Sequence, residues 1–495
     1  MGTRGVGSLL HNEGCEALHL TGRRLSPLGP LAQSVEQRTF NPWVVGSIPT
    51  GPTIYLRQEA EDSLPKRFST GDKFTLAALS FYLIAIGRSY SLYAQGDFAI
   101  YFRAAKRVAL GQPLYDFEKN LYVYGPFLAH LLSPLSFLSE LEASRIWLLI
   151  NLLLAPLIAL LIWKIFQESS VKSNALSFIL TFIMTSFSFR NNAGNGSVMS
   201  IVTAGSLILL AIIKVQRKTA SRSKFLNTFF YDLIAASILV FIFEVKTYLA
   251  IWLLLFVGIF RLRLVFLAFF ISASENIFLH LANQENYLNW INEIIRRSQS
   301  VKSGDDQATL LTLIHRLLNP FISWDLAVSV LLYCLIGIYI CKVLIKVRNS
   351  ENLEHSFLLV ISAAVILTPF AHGQDFLFSV TAILAILIKG ISNLQISYLV
   401  VIASALLVNW TNSSFLMGQA TICLLYYTLG AGLEISKKNL IFSFLLAEAS
   451  LVLNYLVGKK DLQQQYIFYN MSALAFGLVV LLAVARTRHA SPKEA

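Results

Sequence analysis

The sequence predicts an all-α polytopic membrane protein. Of its 495 residues, 55% are hydrophobic and 14% are charged, whereas a soluble globular protein is typically about 25% charged. Apolar runs recur from Phe74 to Val484, and many approach the ~20 residues with which a helix crosses a bilayer. Because lipid offers no partner for backbone N–H and C=O groups, each run must be helical. A soluble enzyme, a disordered chain and a fibrous repeat are thereby excluded.

The apolar runs predict about 12–14 transmembrane helices, several of them shorter than a ~20-residue span. A further stretch, 127–138, is too short and contains Pro134, which interrupts a helix. We interpret that stretch as a half-helix or an interfacial piece. The predicted spans are 74–94, 143–163, 176–190, 197–213, 228–245, 247–260, 264–282, 324–341, 356–371, 376–388, 394–410, 414–433, 440–457 and 467–486.

Lys and Arg collect in short loops between these runs, the distribution typical of the cytoplasmic side. Counting from a cytoplasmic N-terminus places the basic loops inside, apart from Lys459 and Lys460 and the basic residues of two long outer loops. The segments that then fall outside carry the unusual polar residues, so we expect any chemistry on that face. They are 95–126, 190–196, 246–247, 283–323 and 372–375.

The net charge of +12 does not indicate a nucleic-acid partner. Residues 1–73 are nearly balanced, with 8 basic and 7 acidic residues, and much of the remaining excess lies in the basic loops. No basic stripe with interleaved aromatic residues occurs. The four cysteines show no CxxC spacing, so neither a disulfide framework nor a zinc site is supported.

Asp97 follows the first predicted span directly, at the membrane interface. A carboxylate in a partly dry site has a raised pKa and can act as a general base. The alternative is an N-cap, because Asp is favoured at helix N-termini; spacing alone leaves both open. The stretch from Asp97 to Leu110 predicts a helix lying on the membrane. Its apolar face comprises Phe98, Tyr101, Phe102, Ala105 and Val108.

Lys246 and His372 are the other two residues that the sequence singles out. Lys246 lies between two apolar segments, where an ion is costly and usually functional; the alternative is a snorkelling lysine that reaches the headgroups. His372 ends another apolar segment and could exchange a proton near pH 7, although such a histidine can equally be structural. Asp305 and Asp306 predict no metal site, because an adjacent pair in a hydrophilic loop is usually solvated.

The block from Gly96 to Leu138 resembles a known family. It reads Gly-Asp-Phe, Tyr-Phe-x-Ala-Ala, Gly-Gln-Pro-Leu-Tyr, Tyr-x-Tyr-Gly-Pro-Phe and Ser-Pro-Leu, and a span containing Ile-Trp follows. This order resembles the opening of the polyprenol-phosphate-mannose-dependent mannosyltransferases, multi-spanning glycosyltransferases of the GT-C class. The resemblance predicts a GT-C-like bundle with an interfacial helix in the first outer loop.

Weaker similarities extend the resemblance over most of residues 74–390. Gly194–Ser197 occupies the place of a Gly-Gln-x-Asn motif, with Gln and Asn both replaced. Glu244–Tyr248 resembles a Lys-Pro motif without its proline. Leu310–Leu318, which includes Arg316, is similar to the arm after the fourth outer loop, and Thr368–His372 resembles a Pro-to-His element.

The resemblance implies a donor, an acceptor and roles for particular residues. One sugar, a mannose-like hexose or a pentose, would pass from a polyprenyl-phosphate donor to a glycolipid or glycan acceptor on the outer face, with inversion and without a metal or cofactor. Asp97 would be the base, and His372 would assist. Donor phosphate binding would fall to Lys246, Arg103 and Arg316, with Lys106, Arg296 and Arg297 as further candidates. The substrate cavity would include Tyr101, Tyr124, Asn195, Tyr248 and Asp375.

The same reading divides the chain into five parts and places it in a bacterial inner (plasma) membrane, with both termini cytoplasmic. Leu31–Thr53 resembles a translated lysine transfer-RNA gene, so residues 1–55 are predicted to be a mis-translated extension. A cytoplasmic segment (56–73), the catalytic membrane region (74–390), additional spans (391–486) and a cytoplasmic tail (487–495) follow.

A transporter or flippase of a lipid-linked or small polar substrate is the alternative function. It predicts internal repeats and ionisable residues deep inside spans. No repeat is apparent, and the ionisable residues collect mainly at the predicted outer interface, with Glu448 deep in a predicted span. A scaffold is a second alternative, but it would not explain why Asp97, Lys246 and His372 converge on one side.

Overall fold

In the residues that it describes, the computed structural model contains helices and turns but no strand, and these residues form part of one compact unit. This confirms the predicted all-α polytopic class. The described ranges are 95–115, 122–166, 175–219, 225–282, 287–300, 353–367, 372–388, 422–423, 437–460 and 475–484, together with scattered positions within 76–92 and 331–345.

The helices are numbered here in chain order. Their bounds are α1 Gly96–Ala109, α2 Pro126–Leu132, α3 Glu140–Phe166, α4 Ala175–Thr185, α5 Phe187–Asn195, α6 Met199–Thr219, α7 Phe225–Val245, α8 Thr247–Leu281, α9 Tyr287–Ser300, α10 Leu353–Ile366, α11 Leu377–Ile388 and α12 Lys437–Lys460. Two 3₁₀ turns, Ser133–Phe137 and Gly373–Phe376, follow α2 and precede α11.

Four of the described helices are long and apolar enough to cross a membrane: α3, α6, α7 and α8. Shorter apolar helices accompany them, including α4, α10 and α11. Apolar side chains of these helices form one continuous buried core. The described region is therefore a helical membrane bundle, as its composition predicts.

Two of the predicted local features are confirmed and one is wrong. Helix α1 covers the stretch predicted as a helix, and α2 with its 3₁₀ turn is the predicted half-helix, broken at Pro134. The expectation that the apolar face of α1 lies on the membrane is wrong. Phe98, Tyr101 and Phe102 are buried in the protein, and Phe98 stacks on Trp147 of α3 with ring centroids 5.4 Å apart. This face of α1 therefore packs against α3, with Phe98 on Trp147, and not against lipid.

Two predicted segment boundaries bear on the site. The segment 176–190 is two helices, because α4 ends before Ser186, whose hydroxyl accepts a hydrogen bond from the Phe189 N–H (3.2 Å) and starts α5. Helix α8 consists of two helical parts, because Arg261 has non-helical angles (φ −152°, ψ 68°) and forms a kink between them. This kink separates the two predicted segments 247–260 and 264–282.

Several predictions fall outside the described residues. They are the extension 1–55, the segment 56–73, the span 394–410, Arg316, the Asp305–Asp306 pair, most of the span 414–433 and the tail 487–495. The side chains of Arg296 and Arg297 are also outside the described part.

The long helices carry different polar groups at their two ends. Helix α7 has Asp232 near its start and Glu244 near its finish. Asp232 accepts a hydrogen bond from Gln216 near the end of α6 (2.8 Å) and lies 3.5 Å from Arg263, just after the α8 kink. We call this the basic end. The opposite end, where α7 passes into α8, holds the candidate site.

Candidate active site

Lys246 lies at the break between α7 and α8 and is only 7% exposed. Its Nζ is 2.9 Å from Oδ1 of Asp375, which is fully buried, and 3.1 Å from the Tyr248 hydroxyl. The Tyr248 hydroxyl in turn donates to Oδ2 of Asp375 (2.9 Å). Each ionic group is thus matched by an opposite charge and a hydrogen bond, without which burial of either would be unfavourable.

The 3₁₀ turn Gly373–Phe376 holds Asp375 in place. The His372 backbone N–H donates to Asp375 Oδ2 (2.9 Å), and the Asp375 N–H donates to the His372 carbonyl (2.9 Å). Asp375 therefore accepts bonds from Lys246, Tyr248 and the His372 backbone. The two hydrogen bonds between His372 and Asp375 also bring His372 beside the buried Lys246–Asp375 pair.

Asp97 is the second residue of α1 and is half-buried. Burial raises the pKa of its carboxyl, although the positive charge of Lys246 and the His372 imidazole oppose the rise. Asp375 acts in the same direction as burial. These interactions put Asp97 in one electrostatic neighbourhood with the other three groups. A carboxylate with a raised pKa is a better proton acceptor near neutral pH.

Two tyrosines extend this neighbourhood. The Tyr101 hydroxyl, one turn beyond Asp97, donates to the Tyr124 hydroxyl (3.2 Å), and the rings meet edge to face with centroids 4.9 Å apart. Burial raises the pKa of Tyr124, and the charge of Lys246 opposes that rise. Both phenols therefore remain protonated at neutral pH and can donate hydrogen bonds. We call Asp97, Lys246, Tyr248, His372 and Asp375 the acid–base cluster.

The end of α5, together with Gly196 after it, adjoins the turn that holds Asp375. Asn191 of α5 donates to the side-chain oxygen of Gln374 in the 3₁₀ turn (2.5 Å), and Asn195 donates to Asn191 Oδ1 (3.0 Å). Gly196 has a positive φ of 70°, and a Cβ there would come within 2.7 Å of Phe98. Glycine is therefore required where this segment meets α1.

The sequence-predicted site residues divide into three groups. Asp97, Lys246, Tyr248, His372 and Asp375 come together, with Tyr101 and Tyr124 adjoining them. Asn195 is exposed and reaches the cluster only through Asn191 and Gln374. Arg103 is not part of it, since its side chain is 66% exposed and pairs with Glu140 at 3.4 Å.

Two supporting residues and one buried cation near them were not singled out in the sequence. Gln95 is fully buried and donates from Nε2 to the Ala193 carbonyl (3.0 Å), which ties the start of α1 to α5. Gln374 accepts the hydrogen bond from Asn191 that is described above. Arg190 of α5 is only 7% exposed. Arg190 could have been found in the sequence, because it is an ion among apolar segments like Lys246, whereas the two glutamines carry no such signal.

A metal site is not apparent in the described ranges. None of their groups of three or more His, Cys, Asp or Glu residues could hold a metal ion. The ammonium of Lys246 supplies a positive charge within the acid–base cluster.

A helical membrane bundle with a buried acid–base cluster at one end defines a class: integral membrane proteins that handle a polar group at the bilayer surface. The chain belongs to Glycosyltransferase family 87, whose family model matches residues 122–369, half of the sequence. It is therefore a membrane glycosyltransferase of GT-C type. The match contains Lys246 and Tyr248, whereas Asp97 precedes it and His372 and Asp375 follow it. Searches of curated proteins and of solved structures find no match to the chain.

Proposed function

We propose that this glycosyltransferase moves one sugar, a mannose-like hexose or a pentose, from a polyprenyl-phosphate donor to a hydroxyl of a glycolipid or glycan. The observation that carries the proposal is the convergence of Asp97 and His372 with the buried Lys246–Asp375 pair. A proton acceptor and a cation then share one site. Transfer from a phosphate-linked donor requires that combination.

The proposed reaction is a single displacement. The acceptor hydroxyl oxygen forms a bond to the anomeric carbon while the bond from that carbon to the phosphate oxygen breaks. Asp97 takes the hydroxyl proton, with His372 beside it to receive or return that proton, and polyprenyl phosphate leaves with the electron pair. Because attack and departure are on opposite faces of the sugar, the configuration at the anomeric carbon inverts.

Lys246 is proposed to stabilise the departing phosphate. A fixed cation in a dry site lowers the barrier where negative charge develops. Asp375 and Tyr248 hold the ammonium in place before substrate arrives. No divalent metal is then needed, so chelation with EDTA should leave the activity unchanged.

The site is proposed to face the outer or periplasmic side of a bacterial plasma membrane. The cations Lys214, Arg217 and Arg263 lie at the basic end, away from the cluster. Positive residues favour the cytoplasm, so the cluster end should face outward. A cysteine introduced near α2 would test this orientation. In intact cells it should react with a membrane-impermeant reagent added outside.

The deciding experiment is sugar transfer by the purified protein in nanodiscs. Radiolabelled polyprenyl-phosphate mannose and a membrane glycolipid extract would be supplied to the wild type, to Asp97→Asn and to Glu142→Gln, a matched carboxylate-to-amide change at an exposed position. We expect transfer by the wild type and Glu142→Gln, and transfer slower by ~10²–10⁴-fold in a folded Asp97→Asn.

The other outcomes are equally informative. Undiminished transfer by Asp97→Asn would keep the reaction and move the base to His372. Absence of transfer in every form would contradict mannose as the donor sugar. Binding of polyprenyl phosphate without transfer of any tested sugar would then favour a flippase.

A further inference from the structure

Residues Tyr122–Phe127, here called the tyrosine loop, are held by groups outside the acid–base cluster. The Phe127 backbone N–H donates to Oε2 of Glu244 (3.0 Å), and the Gly125 N–H donates to the Glu244 carbonyl (2.8 Å). A Cβ on Gly125 would lie 2.5 Å from the Glu244 Cβ. One buried glutamate at the end of α7 therefore holds the loop through both its backbone and its side chain.

The far side of Glu244 contacts a second carboxyl group. The Tyr287 hydroxyl at the start of α9 lies between Oε1 of Glu244 and Oε2 of Glu275, and its distance to Glu275 is 3.1 Å. A phenol has one proton, so it can donate to only one of these oxygens. One donor therefore faces two carboxyl groups, and a proton on one of those carboxyls would supply the second hydrogen bond and relieve the repulsion between them.

Helix α9 also holds the loop at a second point. Trp290, one turn beyond Tyr287, is buried and donates its indole N–H to the Val123 carbonyl (2.9 Å). The Tyr287 and Trp290 rings meet with centroids 5.5 Å apart. Backbone groups on both sides of Tyr124 are thus fixed, at Val123 and Gly125.

We propose that Glu244, Glu275 and Tyr287 form a protonated carboxyl clamp whose role is to position the tyrosine loop. Tyr124 is the loop residue that reaches Tyr101 and faces Asp97 and Lys246. Glu244 is accordingly a positioning residue, two places before the cluster lysine, and touches no reacting atom. Its effect on transfer rests on the proposed function, whereas its effect on the loop does not.

The test uses cysteine labelling in a chain whose four cysteines are replaced by serine. A Val123→Cys reporter is half-buried in the loop, and an Ile213→Cys reporter is buried toward the basic end. Maleimide labelling of Val123→Cys in nanodiscs should accelerate roughly tenfold when Glu244→Ala removes the clamp, because local opening then becomes easier. The Ile213→Cys reporter should be unaffected.

Conservative variants separate the clamp from general loss of structure. Glu244→Gln keeps an acceptor for the Phe127 N–H and should label as slowly as the parent. Tyr287→Phe keeps the ring and removes only the bridging hydroxyl, so it should label at an intermediate rate. If Glu244→Ala does not fold, Tyr287→Phe alone still decides the matter.

Sugar transfer supplies the second measurement. Glu244→Ala should lower kcat roughly tenfold with little change in the donor KM, and Glu244→Gln should recover most of it. Equal labelling of Val123→Cys in the parent, Glu244→Ala and Tyr287→Phe would overturn the clamp, as would parallel acceleration at Ile213→Cys. If labelling behaves as expected but no form transfers sugar, the clamp stands and the proposed function fails.

Discussion

Both ends of the helical bundle contain buried acids paired with bases, but the pairs differ in their access to water. At the basic end, Asp232 is buried while its partner Arg263 is 52% exposed. Lys214, which pairs with Glu354 and donates to the Ile165 carbonyl, is only partly buried. In the acid–base cluster both Lys246 and Asp375 are buried. An ion pair that is exposed to solvent contributes little to stability. In a pair that is buried away from water, each charge is tolerated only because the other is present.

Basic residues at the two ends have different surroundings. Arg217 at the basic end lies over the ring of Phe260, 4.7 Å from its centroid and one residue before the kink at Arg261. Lys246 has a second carboxylate, a histidine and two phenols around it instead. Extra titratable groups around a buried ion indicate a functional site. The predictions below test that contrast, from the largest expected effect to the smallest.

Asp97→Asn should have the largest effect on transfer. An amide cannot accept the hydroxyl proton, and loss of a general base typically lowers the rate ~10²–10⁴-fold. In the wild type, activity should rise with pH as Asp97 ionises, with a midpoint above the usual carboxyl value of about 3.9, because burial raises its pKa. A pH series measures this limb, and its persistence in Asp97→Asn would exclude Asp97 as its source.

Lys246→Gln should damage both stability and activity. It leaves the buried Asp375 carboxylate without its cation, a change that typically costs about 3–5 kcal/mol, seen as a lower unfolding midpoint. Adding Asp375→Asn should restore most of that stability but not the transfer. Recovery of transfer in the double variant would show that the charge of Lys246 is dispensable.

Tyr248→Phe should have an intermediate effect. The change removes one hydrogen bond to the Asp375 carboxylate, and bonds to charged groups contribute about 1.5–3 kcal/mol. Lys246 keeps its direct contact with Asp375, so we expect transfer to fall roughly 10-fold with the protein still folded. Unchanged steady-state rates would mean that Tyr248 has no part in holding the ion pair.

Arg263→Gln at the basic end should have the smallest effect. Its side chain is half exposed, and the buried Asp232 keeps its hydrogen bond from Gln216 when the cation is lost, so the cost should be smaller than the ~3–5 kcal/mol expected for a fully buried pair. Transfer should be nearly unchanged and the unfolding midpoint only slightly lower. A large loss of transfer by this folded variant would remove the distinction between the two ends.

Local patterns predicted much of this arrangement. The break at Pro134, the division of α8 near Arg261 and the helix from Gly96 follow from residue types within a few positions of one another. The sequence also singles out Asp97, Lys246 and His372, because an ionisable group beside an apolar run is costly and is usually functional. The pairing of Arg103 with Glu140 did not follow, since a partner 37 residues away leaves no local periodicity.

The sequence by itself determined an all-α membrane protein and which of its residues lie at the ends of apolar helices. The reason is that lipid imposes helical hydrogen bonding and apolar surface on each span separately. Only the tertiary structure decided that Lys246 meets Asp375, 129 residues away, and that Glu244 holds Phe127, 117 residues away. These pairings depend on how the helices pack against one another. The sequence around Lys246 does not specify which carboxylate of the chain will pair with it.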